Sequence, residues 1–181
     1  MKNAERQAVL LMLLQAMKSN GGWCGETHVQ KCAYFLEKGL GVPLELEFVL
    51  YKHGPFSFRL RELLGEMRAK LLIDVEPRPP YGPSLVVSAS GDAWKERVAE
   101  VAQYRAAVQF VSERLAKCGV VELERLGTAL YVIAEDEPRT DDQMVARIVE
   151  LKPHIDKRAA HDALVRVREI LELAEETGLV A

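Results

Sequence analysis

Tyr51-Lys52-His53-Gly54-Pro55-Phe56-Ser57-Phe58 is the stretch that decides how this chain folds. The proline pushes Gly54 out of the α region, and glycine tolerates the sharp corner that results. Ser57 then stands where an N-cap belongs, ahead of Leu60, Leu63, Leu64, Met67 and Leu71 on one helical face, which predicts a helix over 57–70. Upstream, Leu44, Leu46, Phe48 and Leu50 alternate with Glu45 and Glu47, the period of a half-buried strand reaching Tyr51, although Val49 breaks the alternation.

Working outward, residues 4–19 are apolar nearly all round, which predicts a helix covered on more than one side and ended by Asn20-Gly21-Gly22. Thr27-His28-Val29-Gln30 reads as a capping box for a second helix, with Val29, Cys32, Ala33, Leu36 and Leu40 inward and Gly39 and Gly41 as its stop. Beyond the corner, residues 71–76 and 84–88 are β-prone and flank a Pro/Gly-rich loop from Pro77 to Pro83, the pattern of a hairpin. Three helices followed by a hairpin is the winged-helix order, with the hairpin as wing and helix 57–70 in the recognition position.

The remainder reads as helices only. Trp94, Val98, Val101, Arg105, Val108, Val111 and Leu115 recur every three or four residues, predicting one long helix over 92–117, and a further helix follows over about 121–134. An acidic turn is expected at Glu135-Asp136-Glu137-Pro138. Thr140-Asp141-Asp142-Gln143 is a second capping box, and Asp156 should cap the last helix, with Ala160, Leu164, Val167, Leu171 and Ala174 inward. The expected fold is mostly α with a minor β component: a winged-helix-like part over 1–90 and an all-helical layer over 91–181, packed as one continuous unit.

At 181 residues and 49% hydrophobic, the chain has enough apolar material for a real core. The net charge of -3 is unevenly spread: residues 1–90 carry 11 Lys and Arg against 9 Asp and Glu, and residues 91–181 carry 13 against 18. The acidic back half is a poor nucleic-acid surface. Cys24, Cys32 and Cys118 contain no CxxC pair, which points to a reducing cytoplasm. The apolar run 8–17 is too short to span a bilayer and lacks a cleavage site, so no membrane role is expected.

Gln30-Lys31 and Tyr34, followed by Tyr51-Lys52-His53-Gly54-Pro55-Phe56-Ser57, resemble the YwgA-like proteins, which are similar in turn to the Panacea domain of SocA-like antitoxins and adaptors of bacteria and phages. The resemblance is clearest over 25–75 and extends more faintly through 123–131 and Leu151-Lys152-Pro153. It implies a small, mostly helical, non-catalytic domain, and for the Panacea antitoxins it implies neutralising a partner protein. Gln30, Gly54, Pro55 and Ser57 would form its structural corner.

Candidate chemistry is sparse. Cys24, His28 and Cys32 are spaced by four but lack a fourth zinc ligand, and small apolar packing explains the cysteines. His154 and His161 are separated by Pro153 and the Asp156 cap. Ser57 has His53 four residues upstream, yet capping already accounts for it. No catalytic, metal or cofactor residue is assigned, and the chain is not expected to be an enzyme.

Binding is the remaining class, and three readings stand. The first is recognition of a protein partner, a toxin or effector, by Lys31, Tyr34, Tyr51, Lys52, His53, Phe56, Phe58, Arg61, Arg68 and Tyr81 around the corner, since aromatic rings and arginine dominate interfaces. The second is a DNA-binding regulator using Lys52, Arg61, Arg68 and Arg78, against which Glu62 can pair with Arg59 and Glu66 with Lys70. The third is a dimeric scaffold subunit of a defence or stress complex, with the stripe of helix 92–117 as its seam.

Overall fold

Among the described residues, local signals place eight α-helices and two small antiparallel sheets, so the chain is mostly α with a minor β component. The structure is a computed structural model describing residues 1–79, 81–96, 98–135 and 140–180; the Tyr81 ring and the acidic turn expected after residue 135 lie outside the described residues.

Helix α1 (Asn3–Ser19) is the axis of the core, with an unbroken buried run from Arg6 to Leu14. Helix α2 (Glu26–Tyr34) continues into a π turn over Phe35–Gly39, and Gly41 leaves at φ 72°. The expected capping box of Thr27 and Gln30 does not form. Gly25 is the N-cap, and Gln30 turns inward, where it donates to Ser57 O at 2.9 Å and accepts from Ser57 N at 2.8 Å.

The strand expected over 44–51 is reduced to β1 (Val49–Tyr51). Leu44 and Leu46 are buried and Glu45 and Glu47 exposed, so the alternation is real. The backbone is not extended, however, because Glu45 and Glu47 sit at φ 53° and 54°. Side chains stand in for a neighbouring strand there: Arg6 Nε donates to Leu44 O, and Leu46 N donates to Glu37 Oε2 at 2.8 Å. β1 pairs with β2 (Gly54–Phe56), with Tyr51 opposite Gly54, so the corner is a two-residue hairpin turn at Lys52 and His53. Ser57 then caps α3 (Phe58–Ala69), accepting from Leu60 N at 2.9 Å. Leu71, expected inward, takes φ 58° beyond the helix end and is exposed.

The hairpin β3 (Ile73–Arg78) and β4 (Tyr81–Val87) is tighter than its prolines suggest, since Arg78 pairs with Tyr81 and Pro77 and Pro83 lie within the strands. A register shift between Glu76 and Arg78 accommodates Pro77, as ladders tolerate proline at bulges. Three helices precede this hairpin in the winged-helix order, but β1 joins β2 and leaves the hairpin as a separate sheet.

The single helix expected over 92–117 is three segments: α4 (Ala89–Glu96), a 3-10 segment over Ala99–Tyr104 and α5 (Arg105–Leu115). Val98 breaks the path at φ -107°, ψ 80°. The break lets all three segments pack on α1, which one straight rod would meet over part of its length. The stripe proposed as a dimer seam is thereby used up: Val101, Val108 and Leu115 are core residues, and Val98 packs against them.

Helix α6 (Val120–Glu135) packs on β2, α2, α7 (Asp141–Leu151) and α8 (Lys157–Glu176). Thr140 and Gln143 form the expected capping box, and Asp156 caps α8 through Ala159 N. One buried apolar cluster runs from Ala8 to Ala174 through both halves. Among the described residues no helix is long and apolar enough to cross a membrane.

Replacing Gln30 by Leu keeps the volume but strands the buried Ser57 N–H, so equilibrium urea unfolding should show a loss of about 1–3 kcal/mol. Little or no loss would mean that the Gln30 clamp does not hold the corner.

Candidate recognition site at the glycine-proline corner

The corner is held between α2 and α6 at contact distance. A Cβ on Gly127 would meet Pro55 Cδ at 3.0 Å, and one on Gly54 would meet Glu124 O at 3.3 Å and Lys31 Cε at 3.4 Å. Gly54 itself has φ 81°, a conformation that suits glycine.

The corner's carbonyls need buried donors, and two lysines supply them. Lys31 Nζ donates to Pro55 O at 2.8 Å, while Lys152 Nζ donates to Tyr51 O at 2.6 Å and Lys52 O at 2.7 Å. Both side chains are buried, with Lys31 at 1% exposure. Glu124, also buried, answers their charge: its Oε1 lies 3.4 Å from Lys152 Nζ and 3.3 Å from His154 Nε2, and its Oε2 lies 3.9 Å from His53 Nδ1. Burial pushes the Lys31 ammonium down to about 8; Glu124 opposes that shift and Lys152 adds to it.

Over this base the rings of Tyr51, Phe56 and Phe58 form a mutual cluster, with centroids 5.8, 5.9 and 5.1 Å apart. Tyr51 is 57% and Phe58 51% exposed, and Val49 beside them is also exposed. The Arg61 guanidinium sits 4.7 Å from the Phe56 centroid, and its Nε is 2.7 Å from Glu26. Of the residues expected at a partner surface, Tyr51, Lys52, His53, Phe56, Phe58 and Arg61 are brought together. Lys31 and Tyr34 were expected on the same outer surface, and both are buried. Tyr34 makes an edge contact with Phe48 at 4.9 Å and belongs to the core. Helix α2 is covered on one side by the corner and on another by α6, which leaves them no outer face.

The basic residues are largely answered by carboxylates. Arg59 pairs with Glu47 at 3.2 Å rather than with Glu62, and Lys70 lies 3.9 Å from Glu66. Arg68 is exposed on α3, and Arg78 lies on β3, 3.9 Å from Glu76 and 5.5 Å from the Trp23 ring centroid.

The other candidates have structural roles. Cys24, Cys32 and Cys118 are buried free thiols, with burial raising each pKa, and His28 Nε2 lies 3.1 Å from Cys118 O. Ser57 Oγ is engaged by Leu46 O and Leu60 N. His161 Nδ1 lies 3.9 Å from Asp162. Among the described residues no group of three or more His, Cys, Asp and Glu is arranged to hold a metal ion.

Sequence reasoning missed Glu124, Gly127 and Lys152 as members of the site. Gly127 within an otherwise helical pattern is the signal that could have found them, since such a glycine marks a close approach.

A lysine whose pKa falls from 10.5 to about 8 on folding binds its proton more tightly in the unfolded chain. Stability should therefore rise with pH between about 8 and 10.5, by at most about 3 kcal/mol. Urea titrations of the parent chain and Lys31→Met across that window should differ by this slope; parallel profiles would place the Lys31 ammonium in water. No family model matches the chain, and comparison with curated proteins gives no match.

Proposed function

We propose that the chain is a non-catalytic binding protein that recognises a protein partner stoichiometrically through the glycine-proline corner. An antitoxin or adaptor covering a toxin or effector acts in this way, as the resemblance to the Panacea domain suggests. The observation that carries the reading is the cluster of Tyr51, Phe56 and Phe58, two of its three rings more than half exposed, with Arg61 stacked at its edge. Aromatic rings and arginine supply most interface energy, and rings already packed against each other lose little side-chain entropy on binding. The base beneath is rigid because its carbonyls, lysines and carboxylate are mutually engaged.

DNA binding by the same helix is the second reading, favoured by the exposed Arg68. The pairing of Arg59, Arg61 and Lys70 with Glu47, Glu26 and Glu66 counts against it, because carboxylates beside the cations repel phosphates.

A photo-crosslinking residue placed at 58 should trap one defined protein in the native cell, and the same residue at Val165, on α8, should not. The double variant Tyr51→Ala/Phe58→Ala should weaken that complex by about 30-fold or more while leaving Tm nearly unchanged, as expected for exposed hot-spot residues. Tight binding to random duplex DNA that falls steeply with salt, lost in Arg61→Ala/Arg68→Ala, would overturn the protein-partner reading in favour of the second.

A further inference from the structure

We infer that the small pocket at the centre of the corner is a carboxylate socket, taking a single Asp or Glu side chain of the protein partner between Tyr51 and Phe56, onto Lys31. The inference rests on the protein-partner reading and specifies the chemistry of that partner's contact surface.

The pocket has a volume of about 150 Å³ and is lined by Tyr51, Phe56, Lys31, Lys52, His53 and Arg61, together with Gly54 and the first turn of α2. That is room for roughly five waters at about 30 Å³ each, the scale of one side chain and far below that of a helix. Lys31 reaches it from below at 1% exposure. An ammonium has three donors, and among the described residues Lys31 makes one hydrogen bond, to Pro55 O at 2.8 Å. Its remaining N–H groups are buried donors beside a cavity, the arrangement in which an unmade hydrogen bond costs most.

The surrounding charge has the sign an anion needs. Lys31 on α2, Lys52 on the turn, Arg61 on α3 and Lys152 after α7 face the corner, against Glu26 on α2 and Glu124 on α6. Four cations thus meet two carboxylates. Glu26 is already held by Arg61 at 2.7 Å, and Glu124 lies behind Lys31 beside Lys152 and His154. Tyr51 and Phe56 supply apolar walls for the methylene of an entering side chain and exclude water, which strengthens the charge contact. Tyr51 both lines the pocket and is exposed, so a partner covering Tyr51 and Phe58 lies against the socket and can present a side chain to it.

The test needs no partner, so its failure and that of the protein-partner reading are distinguishable. The Lys31 Cε and Nζ signals of the full chain are followed by NMR while N-acetyl-glutamate N-methylamide is added to roughly 100 mM, within reach of millimolar affinity. The expected result is a saturable shift of Lys31, absent with the glutamine analogue, with the Lys31 titration midpoint raised because a bound anion favours the charged form. Lys52→Gln, an exposed change that leaves the base of the corner intact, should weaken the response about two- to threefold. No saturable shift, an equal shift with the glutamine analogue, or tighter binding of N-acetyl-alanine or inorganic phosphate would each overturn the inference.

Discussion

Three backbone carbonyls of one tight turn, those of Tyr51, Lys52 and Pro55, point into protein rather than water, and two lysines satisfy them. Buried carbonyls without donors would cost as much as the packing around them gains. The donors arrive from α2 and from the end of α7, so those elements must meet at the corner. The positions of α6, which carries Glu124, and of the first turn of α3 follow from that meeting.

The choice of ammonium donors has an electrostatic consequence. Two buried cations need a carboxylate, and Glu124 on the inner face of α6 provides it with His53 and His154 at its edge. Beside this polar base, Tyr51 at the end of β1 and Phe58 at the start of α3 are exposed, their ring centroids 5.9 Å apart. Exposed rings are costly in water and useful against a partner.

Much of this was readable from local chemistry. Ser57 as an N-cap, the Thr140 box, the Asp156 cap and the hairpin after α3 each depend on a few neighbouring residues, and each is present. What was not readable depended on distant partners. Gln30 looks like a capping residue until Ser57 is placed beside it, and Lys31 looks like a surface lysine until Pro55 O is found at its tip. The apolar repeat over 92–117 is helical at every step, and the break at Val98 goes with the packing of all three segments on α1. Glu45 and Glu47 are exposed between buried Leu44 and Leu46 as in a strand, although both glutamates are left-handed. Hydrophobic period reports on burial, and backbone path follows from it only when a partner strand is present.

Lys152 reaches back to Tyr51 and Lys52 across 101 and 100 residues. During synthesis the turn leaves the ribosome long before the lysine that completes it. Closing so long a loop is a late event, because its entropic cost precedes any reward. The corner is therefore completed late, and in a nascent chain the carbonyls at 51 and 52 remain hydrated until the end of α7 has emerged. Under the proposed function, competence to bind would be timed to the back half of the polypeptide, although most of the side chains that would touch a partner lie in the front half.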